Sequence, residues 1–194
     1  MKAMRFSRNH AAQTGRKCAM LDDPKSQTRF YLRKAFYEFL AQDAPLTITR
    51  LCDQAGVGRR TFYRHYDGLD GVFADCLEQL LTRYQDAVSP LQTYDLEQIA
   101  TEFFSFWKQQ KKELLLLRRY DAQKLHYGLL SGGIRLVQAR SNHRFALFST
   151  YSAGGFLALL NEWIEEDMRT PVDQLVSRLV SEARSASFNA FASS

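Results

Sequence analysis

Residues 47–72 read TITRLCDQAGVGRRTFYRHYDGLDGV, and this stretch decides the fold. Ile48, Leu51, Cys52 and Ala55 fall at i, i+3, i+4 and i+7, on one face of a helix that Thr47 can cap. Gly56-Val57-Gly58 breaks the period: Gly56 can take the positive φ that closes a helix, and Gly58 lets the chain re-enter a second helix at a steep angle. That second helix is predicted over residues 59–66. Only Phe62 and Tyr66 are spaced to pack inward, which leaves Arg59, Arg60, Thr61, Tyr63, Arg64 and His65 facing out. A short helix showing donors over most of its circumference suits a DNA major groove, its first turn on base edges and its flanks on phosphates. Arg59 and Arg60 open the helix and are assigned base-edge contacts, to guanine O6 and N7; Arg64 can point to DNA or to water.

Outward from this stretch, Leu32, Phe36, Phe39 and Leu40 predict a helix over residues 25–41 that ends before Pro45. With the two helices above it makes a three-helix domain ending near Tyr66. On the other side Val72, Phe73, Cys76, Leu77, Leu80 and Tyr84 line one side of a fourth helix, residues 69–88, which stops at Ser89-Pro90.

The residues Thr47-Ile48, Leu51-Cys52, Ala55-Gly56-Val57, Thr61-Phe62-Tyr63 and His65-Tyr66 resemble the N-terminal domain of TetR-type transcriptional regulators. The pattern there is T-[IV]-x-x-[IL]-A-x-x-A-G-V-[ST]-x-x-T-[FLI]-Y-x-[HY]-F-x-x-K-x-x-L. Three positions depart from it. Leu69 stands in place of a phosphate-contacting lysine, Gly58 in place of a capping Ser or Thr, and Cys52 in place of alanine. The resemblance implies phosphate contacts from Thr47, Thr61, Tyr63 and His65, with Thr49 near a groove edge. It also implies a homodimer whose two heads enter successive major grooves of a palindromic operator, about 34–36 Å apart. The fourth helix would link the head to a C-terminal domain that binds an effector.

Charge follows the same division. Residues 1–75 carry 13 Lys/Arg against 8 Asp/Glu, a net of +5, and residues 76–194 carry 13 against 13. The excess lies with the stretch expected to meet phosphates, which favours double-stranded DNA as partner. Residues 1–24, with Lys2, Arg5, Arg8, Arg16 and Lys17, lack periodicity and are expected to be disordered, as a solvated tail or a basic arm along DNA. Cys18, Cys52 and Cys76 form no CxxC pair, which argues against a disulfide framework or zinc site and for a reducing cytoplasm. No signal peptide is read at the start. The longest uncharged run, residues 145–161, is too polar for a membrane span.

The remainder, residues 69–194, reads as an all-helical C-terminal regulatory and dimerisation domain. With the head at 25–68 it brings the expectation to about nine helices and no strand. Asp95 can cap a helix carrying Leu96, Ile99, Ala100, Phe103 and Trp107, and Leu114 to Leu117 form a short buried helix. A helix over residues 121–139 is bent or broken near Gly128, Gly132 and Gly133. Phe103, Trp107, Tyr120, His126 and Tyr127 are the candidates for an apolar effector cavity between these helices.

Residues 145–167 are apolar nearly all round, which predicts burial on two sides. Thr170-Pro171-Val172-Asp173 then opens a last helix with a cap, a proline at its first position and an acid in its first turn. The two are expected to pair with their copies in a second chain through Phe148, Phe156, Leu159, Trp163, Leu175 and Leu179. Tyr151-x-x-Gly154-Gly155, Trp163-Ile164 and Met168-Arg169-x-Pro171 also resemble the C-terminal domain of one TetR subgroup.

Neither His126 and His143 nor the acids Glu162, Glu165, Glu166 and Asp167 form HxxxH, HExxH or a nucleophile elbow. No enzymatic activity, metal or cofactor is therefore expected. The function expected is that of a TetR-like regulator, a repressor released by a small molecule. The alternatives are a regulator of the same fold that answers to a protein partner or acts as an activator, and a helical ligand-binding protein whose DNA head has decayed.

Overall fold

The computed structural model describes residues 24–42, 44–88, 95–140 and 146–192. The apolar repeats of the sequence run at helical spacing, and among the described residues they yield nine α-helices and no strand. In chain order these are α1 (Pro24–Gln42), α2 (Ile48–Ala55), α3 (Arg59–Tyr63), α4 (Leu69–Val88), α5 (Leu96–Gln109), α6 (Lys111–Tyr120), α7 (Ala122–Arg140), α8 (Ala146–Glu165) and α9 (Val172–Ala192). The chain divides into two compact units, Met1–Phe73 and Ala74–Ser194. The division falls inside α4 rather than at its start, where the sequence placed it. The expected basic arm at 1–24 lies almost wholly, and the turn at 89–94 wholly, outside the described residues.

In the first unit α1 packs on α2, and α2 on α3. The core is Leu32, Ala35, Phe36 and Phe39 of α1, Leu51 and Cys52 of α2, Phe62 of α3, and Tyr66, Val72 and Phe73 beyond it. Each large apolar side chain buried here contributes about 1.5–3 kcal/mol of transfer free energy. The turn between α2 and α3 follows from its caps. Thr47, extended at φ −130° and ψ 154°, accepts the N–H of Arg50 on its hydroxyl at 3.3 Å. At the other end Gly56 sits at φ 65°, its N–H donating to the Asp53 carbonyl and that of Val57 to the Cys52 carbonyl. This pair of bonds closes a helix when the residue after it adopts the left-handed conformation, which glycine adopts without steric cost.

In the second unit α7 packs on α8, α9 on α5, and α6 on α5, α7 and α8. Its core is aromatic. Phe103 and Phe104 of α5 meet Phe156 of α8 at 5.2 and 6.1 Å, and Phe104 meets Trp163 edge-on at 5.6 Å. Helix α7 neither breaks nor stops at its glycines. A Cβ on Gly128 would stand 2.3 Å from Leu77, one on Gly132 2.3 Å from Leu81, and one on Gly133 2.6 Å from Leu157. Leucines of α4 and α8 occupy the room those side chains would take, so the glycines let α7 approach closely while it stays helical.

The corner after α8 carries the chain's two non-glycine residues of positive φ among those described, Asp167 at 54° and Met168 at 52°. Each costs about 1–2 kcal/mol for an L-residue, and three contacts hold them there. The N–H of Met168 donates to the Trp163 carbonyl at 2.7 Å, the Trp163 indole N–H donates to the Thr170 carbonyl at 3.0 Å, and Met168 is fully buried. Two cations complete the corner. Lys108 of α5 donates to the Met168 carbonyl and lies over the Trp163 ring, and Arg118 of α6 donates to the Ile164 carbonyl at 3.2 Å and pairs with Asp167. Cations at a helix C-terminus oppose its partial negative charge.

Two expectations for this unit are corrected here. Helix α9 begins at Val172, and the carbonyl of Pro171, not Thr170, accepts its first intrahelical bond from Leu175. The Thr170 carbonyl is already committed to Trp163. Secondly, of the residues expected at a dimer contact, Trp163 is buried within its own subunit and Phe156 is half-buried. Phe156 meets Phe103 and Phe104 of the same chain, and Trp163 lies edge-on to Phe104.

Candidate nucleic-acid interface

Helix α3 is short and hangs from one side chain. Phe62 is fully buried, with Tyr63 edge-on to it at 5.4 Å and Tyr66 at 5.7 Å. Tyr66 is itself buried and carries the Arg29 guanidinium over its ring at 5.8 Å. The helix starts at Gly58 with no side-chain cap, as the replacement of Ser or Thr there implies. It ends at Tyr63 rather than at residue 66. The N–H groups of Arg64 and His65 reach back three residues, to Thr61 and Phe62, so the last turn tightens and stops. Tyr66 still bonds to the Phe62 carbonyl at 3.0 Å, which keeps its ring beside Phe62 although it has left the helix.

With Phe62 directed inward, the helical period places Arg60 and Arg64, at i and i+4, on the opposite side. Arg59, Arg60 and Arg64 are all exposed, and among the described residues none of their guanidinium groups makes a hydrogen bond or an ion pair. Two like charges one turn apart destabilise a helix by about 0.2–0.5 kcal/mol, so the subunit alone gains nothing from the pair. Tyr63 is 49% exposed and presents its phenol on the flank of the ridge. Thr61 and His65 are half-buried, and Thr47 and Thr49, at the start of α2, are exposed. Thr47 has an internal task as the cap of α2, yet its hydroxyl retains a proton to donate. All eight residues expected to meet DNA thus lie at least partly open to solvent. Arg50, also in this unit, is spent internally: it donates to the Pro45 carbonyl at 3.0 Å and lies over the Phe39 ring.

Cys52 lies beneath this surface and is buried. Burial first, and then the Asp53 carboxylate, push its thiol above the usual range, with the nearby Arg59 working against them. It therefore stays protonated at neutral pH and acts as a small apolar group.

The five residues expected to line an effector cavity separate into two environments. Phe103 and Trp107 are buried in an aromatic cluster in which Tyr84 stacks on Trp107 at 5.5 Å and Phe106 meets it edge-on at 5.1 Å. The Trp107 indole N–H, fully buried, has no acceptor among the described residues. Tyr120 is half-buried at the end of α6. His126 and Tyr127, however, lie on the exposed side of α7, because Leu125 and Leu129 take the inward positions. Of the residues expected at a dimer contact, the Phe148 side chain lies outside the described residues, and Leu159, Leu175 and Leu179 are half-buried. His143 also lies outside them. No helix of the described residues is long and apolar enough to cross a membrane.

Sequence reasoning missed the corner cations Lys108 and Arg118. Only their position in the last turns of α5 and α6 singled them out. A scan of the chain against protein-family models finds no match, and a search of the curated proteins finds none either.

Proposed function

We propose that this protein is a TetR-like DNA-binding transcriptional regulator, a cytoplasmic repressor released by a small-molecule effector and working as a homodimer on a palindromic operator. The observation that carries this reading is the ridge of Arg60 and Arg64, with Arg59 beside it, on a short helix anchored by Phe62. Three guanidinium groups without partners among the described residues are left on one small surface, which suits a polyanion. In this reading Arg59 and Arg60 donate to guanine O6 and N7 in the major groove. Arg64, Thr47, Thr61, Tyr63 and His65 hold phosphates on either side, and Thr49 lies near a groove edge. The effector is assigned to the second unit, whose aromatic side chains suit an apolar ligand.

A salt titration of binding to a random-sequence duplex tests the electrostatic part. The expected outcome is an affinity that falls steeply and log-linearly with salt, with a slope reduced by about one in Arg64→Ala. Affinity independent of salt, or absent at low salt, removes the reading.

A further inference from the structure

Among the residues assigned to the interface, His65 alone carries a side chain of the class that titrates between about pH 5 and pH 8. Of the described residues only His65 and His126 are histidines, and His126 belongs to the other unit. His65 directly follows Arg64, and its backbone N–H donates to the Phe62 carbonyl at 2.9 Å, which fixes its place relative to the anchor of α3. Its ring lies 6.3 Å from that of the buried Tyr66, tilted by 47°. The imidazole is thus backed by an aromatic ring while the residue stays half-open to solvent. Around it stand Arg59, Arg60 and Arg64 of the ridge, and the Arg29 guanidinium of α1, which lies over the Tyr66 ring. The other titratable groups nearby are the phenols of Tyr63 and Tyr66 and the buried thiol of Cys52. The carboxylates of the neighbourhood, Asp53 of α2 and Asp67 and Asp70 beyond α3, are exposed, and none forms an ion pair with His65.

We propose that His65 couples DNA binding to proton uptake, so that the protein holds a duplex more tightly in mildly acidic than in mildly alkaline solution. The coupling rests on the DNA-binding reading above and adds a form of regulation to the same surface. A neutral imidazole donates through one ring nitrogen and accepts through the other. The charged ring donates through both, and its charge strengthens a hydrogen bond to a phosphate oxygen. Without DNA, a proton on His65 adds one more positive charge to a surface that already holds three guanidinium groups, and no paired acid offsets it. A phosphate beside the ring reverses that balance. A group that binds its proton more tightly in the complex makes affinity highest where the free ring is already charged, and lowest where the bound ring has lost its proton. Affinity therefore falls as pH rises, by up to about tenfold per pH unit for each head. Arginine keeps its charge over this range, so the ridge itself takes no part in the dependence.

Anisotropy of a labelled random-sequence duplex, titrated with the full chain at fixed ionic strength between about pH 8 and pH 6, decides it. Wild type is expected to bind about tenfold more tightly at the acid end. His65→Gln, neutral throughout, should keep the weak alkaline affinity at every pH. His65→Lys, charged throughout, should keep the strong acid affinity at every pH, a result that a merely structural role for the ring would not produce. Circular dichroism over the same range checks that each protein stays folded. Calorimetry of wild type in two buffers of different ionisation enthalpy reads the proton uptake without any variant. A flat profile with no proton uptake in wild type, or a slope that survives in both His65 variants, overturns the inference and leaves DNA binding standing. A chain that binds no duplex at any pH in low salt overturns the DNA-binding reading, and this inference with it.

Discussion

Two regions of this molecule treat the same kind of side chain in opposite ways. At the corner after α8, Lys108 and Arg118 reach across from other helices and donate to backbone carbonyls, so that both charges hold a pair of left-handed residues in place. On α3 and the residue that follows it, the guanidinium groups of Arg59, Arg60 and Arg64 have no partner among the described residues. A cation with an internal partner is explained by the fold. Three solvated cations gathered within six residues form a concentrated positive surface, and that contrast is what makes a basic helix a candidate interface.

The contrast can be broken most forcefully by removing what holds the free cations up. Phe62→Ala takes away the buried anchor of α3 and is expected to cost about 3–5 kcal/mol of stability, measured by denaturant unfolding followed by circular dichroism. A loss well under this range would mean that α3 is not suspended from that ring. Next come the free cations. Arg59→Ala or Arg60→Ala should each weaken binding to a specific duplex by about 1–3 kcal/mol and relax sequence preference, with no loss of thermal stability. Unfolding and anisotropy measurements on the same samples separate the two effects. At the corner the expectation inverts. Lys108→Met should lower stability by about 1–3 kcal/mol through the lost charged hydrogen bond while leaving DNA affinity per folded molecule as it was. The smallest effect is at Gly155, where a Cβ would meet nothing within 4 Å. Under conditions where the chain is monomeric, Gly155→Ala should stabilise it by about 0.5–1 kcal/mol, the gain of alanine over glycine in a helix interior. A destabilised monomer would mean that something occupies the space outside Gly155.

Much of the first unit was legible in the sequence because its signals are local. Thr47 caps and Gly56 turns through bonds to residues fewer than six positions away, and Phe62 shares an inward spacing only with Tyr66 in a polar helix, so spacing alone locates them. The end of α3 was not legible. Tyr66 has the right period to extend the helix, and only the backbone shows the turn tightening after Tyr63 while the Tyr66 ring keeps its place. In the second unit the helices were readable and their faces were not. A helix as apolar as α8 gives no periodic hint of which side faces its own subunit, so the sequence offers Phe156 and Trp163 for a dimer contact without showing that Phe103 and Phe104 meet them within the subunit. The glycines of α7 present the same difficulty. Whether Gly128 breaks a helix or admits Leu77 depends on a residue about fifty positions away, which no local pattern encodes.

The central claim is that the guanidinium groups of α3 read a base sequence, and selection of bound sites from a pool of random duplexes tests it most directly. The account predicts a palindrome whose half-sites lie about one helical turn apart, each with a guanine whose enrichment disappears in Arg60→Ala or Arg59→Ala. A pool that emerges unenriched, or one enriched identically by wild type and by both arginine variants, would contradict it.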